Sequence, residues 1–186
     1  VEFFWGDERA VPPDNPDSNY RMACDALLGP LNIPPEHIHR MEAERSDPEA
    51  AAQEYAAAIA GCFDVSVTDS PPAFDLILLG LGEDGHTASL FPHTDALHVT
   101  DRWVVVNQVP QLSTTRITMT FPLINQARAV FFLVAGDAKA SALTSVLHSP
   151  YDPMRFPSQA VRPDNGRLEW FVDHAAAGQL STQAHD

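Results

Sequence analysis

Cysteine is scarce in this chain: only Cys24 and Cys62 occur among 186 residues. The two show no CxxC spacing, lie in stretches that read as helical, and come with no evident secretion signal, so reduced, buried thiols are expected rather than a disulfide. Basic side chains are scarce too. Eleven Lys and Arg stand against twenty-five Asp and Glu, a formal charge of -14, which repels phosphate backbones and anionic lipid and argues against nucleic-acid and membrane-surface roles. No apolar run approaches the roughly 20 residues of a membrane span; the longest, Leu76–Leu79 and Val130–Val134, are strand-sized. Internal repeats and low-complexity linkers are absent. Besides His86, the histidines His37, His39, His93, His98, His148, His174 and His185 form no HExxH pattern and no Cys/His ligand spacing, so neither a metal nor another cofactor is expected. These absences leave a cytoplasmic protein acting on a small molecule, with no expectation about its oligomeric state.

The length and the 45% hydrophobic content fit a single domain over residues 1–186 with its own core. Short apolar runs alternate with helical stretches, the pattern of an α/β, three-layer, mostly parallel Rossmann-like sheet with helices on both faces. Strands are predicted at 1–5, 38–41, 74–80, 103–108, 129–135 and 168–172. The clearest helix follows Asp47, with Pro48 at its first position and an Ala-rich body through Ala60 before Gly61 stops it. Two more are predicted, from Ser18 to Leu28 and from Asp137 to about Leu147. The chain starts inside a strand, which a native chain rarely does.

Two segments carry chemistry. In Gly6–Arg9 the sequence GDER leaves the end of the first strand, where ligands of open parallel sheets bind. Prolines at 12, 13 and 16 stiffen the loop behind Arg9. In Phe74–Pro92 an apolar strand feeds a loop with glycines at 80, 82 and 85, which permits positive φ and close approach of backbone to a ligand. His86 follows, with Glu83 and Asp84 near enough to orient its ring or raise its basicity, as a general base for water requires. The glycines spell GxGxxG, but Pro92 ends any helix before it could carry a dinucleotide. Lys139 stands near a predicted helix start, where backbone amides favour an anion. An anionic substrate would need such local cations in so acidic a chain.

The segments GDER, GLGEDGHTASLFP (Gly80–Pro92), TRITMTFP (Thr115–Pro122) and VAGDAK (Val134–Lys139), in that order, resemble the 6-phosphogluconolactonase family over nearly the whole chain, and Trp170–Asp173 is similar to its final strand. The resemblance implies a fold shared with sugar-phosphate isomerases and deaminases, and a reaction in which water opens the δ-lactone of a sugar phosphate without a metal. It implies His86 as general base and Asp7 as an orienting catalytic residue. Arg9, Arg116 and Lys139 would bind the phosphate or stabilise the developing oxyanion, and Gly82 and Gly85 would line the substrate. It also implies a domain lacking its N-terminal strand and Ser-Gly-Gly loop. Two other readings stand beside it. An amino-sugar-phosphate deaminase would carry Asn-Glu after Gly-His, where this chain has Ala88-Ser89; a sugar-responsive regulator would carry a basic DNA-binding module, which is not visible here.

Overall fold

A computed structural model describes residues 1–180. Its strands are β1 (Phe3–Phe4), β2 (Asp7–Arg9), β3 (Ile38–His39), β4 (Ile77–Leu79), β5 (Val104–Val109), β6 (Thr114–Met119), β7 (Ala129–Val134) and β8 (Arg167–Val172). The α-helices are α1 (Asn19–Ala23), α2 (Pro48–Phe63), α3 (Phe121–Ile124) and α4 (Ala140–His148). The class is α/β, as expected from the alternating pattern.

The sheet is not continuous. β1 pairs with β3 in parallel, and β4, β7 and β8 form a parallel ladder in the order β4-β7-β8. Of the strands predicted at 1–5, 74–80 and 129–135, only the last two are hydrogen-bonded neighbours of one another. The third group, β2-β6-β5, is antiparallel throughout. A 3₁₀ turn over Pro110–Leu112 and Ser113, at φ 49, connect β5 to β6, and so short a connection permits only a hairpin. The strand expected at 103–108 therefore belongs to an antiparallel sheet. Neither of the other two strands of that sheet was predicted. β6 reads Thr-Thr-Arg-Ile-Thr-Met, polar in appearance but rich in β-branched residues suited to a pleated surface. β2 is Asp-Glu-Arg and has no local strand signal; pairing with β6 alone makes it one.

In the parallel ladder the period of two separates two unlike faces. Val130, Phe132 and Leu79 are buried in the core, whereas Leu78, Leu133 and Phe171 are 56%, 50% and 49% exposed. A parallel sheet normally has both faces covered. Among the described residues this one has a single covered face, so the expected third layer is not seen.

Helix α2 starts as predicted: the Asp47 carboxylate accepts from the Ala50 N–H at 3.0 Å, and Pro48 takes the first position. Its end differs. The helix runs through Gly61 to Phe63, and Asp64, at φ 54, ends it in the left-handed conformation. The predicted stop at Gly61 fails because one glycine costs only about 1 kcal/mol in a helix, and burial of Ile59 and Ala60 outweighs that. Tyr55 of α2 accepts from the Trp5 N–H at 2.6 Å and donates to the Trp5 carbonyl at 3.1 Å, which fixes the point where β1 hands the chain to the GDER segment. Cys62, expected to be buried, is exposed; both cysteines are free thiols. No helix among the described residues is long and apolar enough to cross a membrane.

Candidate active site

Alternation along β2 sends Asp7 and Arg9 to one face and Glu8 to the other. Glu8 is 3% exposed and spans two elements. Its carboxylate accepts from Ser18 Oγ at 3.0 Å and from the N–H groups of Asn19 and Tyr20, each at 2.8 Å. A negative charge thus meets the amino end of α1, where unpaired amides favour it. Asp7 accepts from Ser89 Oγ at 2.6 Å and from Asn19 Nδ2 at 3.2 Å. Burial pushes its carboxyl above the usual range, against the Ser89 hydrogen bond and the charges of Arg9 and Arg116.

Arg9 lies directly opposite Arg116 in the β2/β6 register. Like charges in that position repel. Burial, and next to it the charge of Arg9, hold the Arg116 guanidinium below its usual value. The buried Nε atoms of both arginines have no hydrogen-bond partner among the described residues. One Arg9 nitrogen donates to the Asp17 carbonyl at 2.5 Å, and this contact with the proline-rich loop holds the side chain in place. The result is a fixed pair of cations whose donor capacity is not exhausted.

The glycine loop after β4 works differently at each glycine. Gly82 has ordinary backbone angles, but a Cβ there would fall 2.0 Å from His86 Nδ1; the ring occupies the space a side chain would take. Gly85 alone of the three has positive φ, at 84°. It does not line the cleft described below: its carbonyl accepts from Ser158 N and Oγ at 3.0 and 2.8 Å, and its role is in packing. His86 donates Nδ1–H to Asp84 Oδ1 at 2.5 Å and stacks on Phe91 with ring centroids 3.9 Å apart. That bond leaves Nε2 unprotonated in the neutral ring, with a lone pair available to accept a proton. Burial alone would raise the Asp84 carboxyl, yet the hydrogen bonds from His86 outweigh it and hold it low. Glu83, the other candidate for orienting the ring, lies instead 3.7 Å from Lys139, the only lysine of the chain. Lys139 ends a 3₁₀ turn, Asp137–Lys139, and immediately precedes α4. The turn is anchored by Asp173, which accepts from the N–H groups of Gly136 at 3.0 Å and Ala176 at 2.7 Å.

One cleft of about 270 Å³ gathers these groups: Asp7, Arg9, Asn19, Gly82, His86, Ala88 and Lys139 line it. Ala88 holds φ 47, a left-handed conformation that costs a non-glycine residue about 1 kcal/mol or more. Arg116 is not in the lining but stands beside Arg9. Asn19, Ser89 and Asp173 escaped sequence reasoning. Asn19 and Ser89 are recognisable only by their contacts with Asp7, whereas Asp173 had a signal in its position directly after the last strand. The one group of three potential metal ligands among the described residues, Glu2, His39 and Cys62, lies outside the cleft. His185 falls outside the described residues.

The family described as glucosamine-6-phosphate isomerases/6-phosphogluconolactonase matches residues 1–170. A 6-phosphogluconolactonase of Synechocystis sp. is 48% identical over 180 residues, covering 97% of this chain and 73% of that protein. The structure of 6-phosphogluconolactonase from Trypanosoma cruzi is similar with a TM-score of 0.82 at 32% identity, over 97% of this chain and 73% of the other. A monomeric glucosamine-6-phosphate deaminase shares the fold, with a TM-score of 0.75 at 20% identity, over 96% of this chain and 75% of that one.

Proposed function

Because the chain belongs to the glucosamine-6-phosphate isomerase/6-phosphogluconolactonase family, we propose that it is a carboxylic ester hydrolase that opens 6-phospho-D-glucono-1,5-lactone to 6-phosphogluconate, a step of the oxidative pentose phosphate pathway. The observation that carries this reading is the meeting, in one cleft, of an imidazole oriented by Asp84 with the cations Arg9 and Lys139, the Arg9 Nε–H having no partner among the described residues. His86 Nε2 takes a proton from water as the oxygen attacks the lactone carbonyl. The carbonyl oxygen becomes an anion, and Arg9 with Arg116 behind it stabilises that charge. Collapse of the tetrahedral intermediate expels the ring oxygen, which takes the proton back from His86. Lys139 binds the phosphate, helped by the amides at the start of α4. Asp7 orients Asn19 and Ser89 and tempers the arginine pair. No metal enters these steps.

The complete domain, in this proposal, has a further strand between β1 and β4 that brings a Ser-Gly-Gly loop to the phosphate and joins the parallel pieces into one three-layer sheet. Two hollows between these segments support it, one lined by Phe4, Phe74 and Leu76 and the other by Gly6, Leu78 and Leu79.

The direct test is hydrolysis of freshly made 6-phosphogluconolactone with the spontaneous rate subtracted, run beside ammonia release from glucosamine 6-phosphate. Lactone opening without ammonia is expected. Ammonia release without lactone opening would replace the proposal with the deaminase reading.

A further inference from the structure

Far along β1 from the cleft, a second group of chemically competent side chains comes together. His37 ends a 3₁₀ turn that runs straight into β3 (Ile38–His39), and both imidazoles reach Glu2. The parallel register Phe3↔Ile38 and Phe4↔His39 brings Glu2 alongside them. His37 Nδ1 lies 2.7 Å from Glu2 Oε1 and His39 Nε2 lies 2.8 Å from Glu2 Oε2. The ring of His39 is held by stacking on Phe4, with centroids 4.4 Å apart and planes 12° from parallel. From above, the penultimate residue of α2 supplies a thiol: Cys62 Sγ is 3.7 Å from His39 Nε2. The donor atoms of Glu2, His39 and Cys62 all lie within 4.8 Å of one another. Three separate elements thus converge on one point.

We propose that Glu2, His39 and Cys62 form a zinc site, with His37 orienting Glu2 from behind and the fourth position open to water. Tetrahedral Zn–S and Zn–N bonds of about 2.3 and 2.0–2.1 Å place sulfur and nitrogen roughly 3.6 Å apart, close to the 3.7 Å found. Nitrogen and oxygen need roughly 3.3 Å, so Glu2, exposed at 38% of its side chain, swings away from His39 to widen their 2.8 Å separation by about half an ångström. At present a proton sits between His39 and Glu2. The ion takes the place of the Cys62 thiol proton, which is released, while the neutral His39 ring then carries its proton on Nδ1 and leaves Nε2 to the metal, so that one bond each forms to nitrogen, sulfur and oxygen. Mixed thiolate, imidazole and carboxylate donors suit Zn²⁺ and exclude Mg²⁺ and Ca²⁺, which prefer oxygen alone. The carboxylate between His37 and the ion is the usual form of outer support at such centres. Burial, and next to it the charge of Glu2, push the Cys62 thiol up; an ion bound there reverses that effect. Ligand spacing along the sequence cannot reveal this group, because its members come from residues 2, 39 and 62.

The test titrates the untagged chain with Co²⁺ as a spectroscopic probe and then displaces it with Zn²⁺. One equivalent should bind, with a thiolate-to-cobalt charge-transfer band and the intense visible bands of a four-coordinate ion. Cys62→Ser should abolish the charge-transfer band, and His39→Ala should weaken zinc binding by more than the roughly 10–100-fold expected of His37→Ala. Zinc should raise Tm in the parent protein and not in Cys62→Ser, whose own metal-free melting curve verifies that it folds. Absence of saturable binding at micromolar zinc, or an affinity indifferent to Cys62→Ser, would overturn the site.

Discussion

The two walls of the cleft are built by different means. Asp7 and Arg9, with Arg116 behind, stand on the paired strands β2 and β6, where ladder hydrogen bonds fix the backbone and leave the charges facing one another. His86 and Lys139 stand on loops after β4 and β7, where no ladder reaches. There the positions are set side chain by side chain, through Asp84 on His86 and Asp173 on Gly136. The strand wall tolerates electrostatic repulsion because its backbone cannot yield. The loop wall relies instead on opposite partners, Asp84 with His86 and Glu83 with Lys139. Rate should therefore be sensitive to the loop wall, and anion affinity should draw on both.

The sharpest way to break this comparison is His86→Ala. Loss of a positioned general base should reduce kcat by roughly 10²–10⁴, with a small change in KM and only a slight lowering of the melting curve. Near parental turnover would remove His86 from the mechanism. Gly82→Ala comes next, because the added Cβ must displace the imidazole it would strike; a misplacement of about 1 Å lowers the rate on the order of 10²-fold. Crystallography of that variant should find the ring moved while β4 stays in place.

Arg9→Ala and Lys139→Ala should each weaken 6-phosphogluconate binding by about 1.5–3 kcal/mol, the range for a charge-assisted hydrogen bond. Calorimetry separates the walls here: only Lys139→Ala should erase the preference for 6-phosphogluconate over gluconate. If Arg9→Ala erases it instead, the assigned roles of the two cations are exchanged.

The smallest effect concerns acid stability. The Asp84 carboxyl is held below its ordinary value in the folded chain, so the folded state binds fewer protons than the unfolded state in that window. Its contribution is complete above the unfolded value of about 3.9 and is lost as pH falls through the lower folded value. Asp84→Asn should melt slightly below the parent at pH 6, and the two should converge in strong acid; the partial exposure of the pair keeps the difference small. A gap that widens toward low pH would contradict the sign.

The sequence by itself determined much of this protein. Asp47 and Pro48 start α2, apolar runs mark the parallel strands, and the glycine loop delivers a histidine to a strand end. All are signals carried within a few neighbouring residues. Tertiary structure alone decided that Asp-Glu-Arg becomes a strand, that Asp84 rather than Glu83 holds the imidazole, that the Gly85 carbonyl accepts from Ser158, and that Cys62 faces solvent near two histidines. In these cases the deciding partner lies far away in the chain: Ser89 is 82 positions from Asp7, and Arg116 meets Arg9 only through the β2/β6 register. Local propensity amounts to at most about 1 kcal/mol per residue, so pairing and burial override it wherever distant segments supply hydrogen bonds and apolar cover.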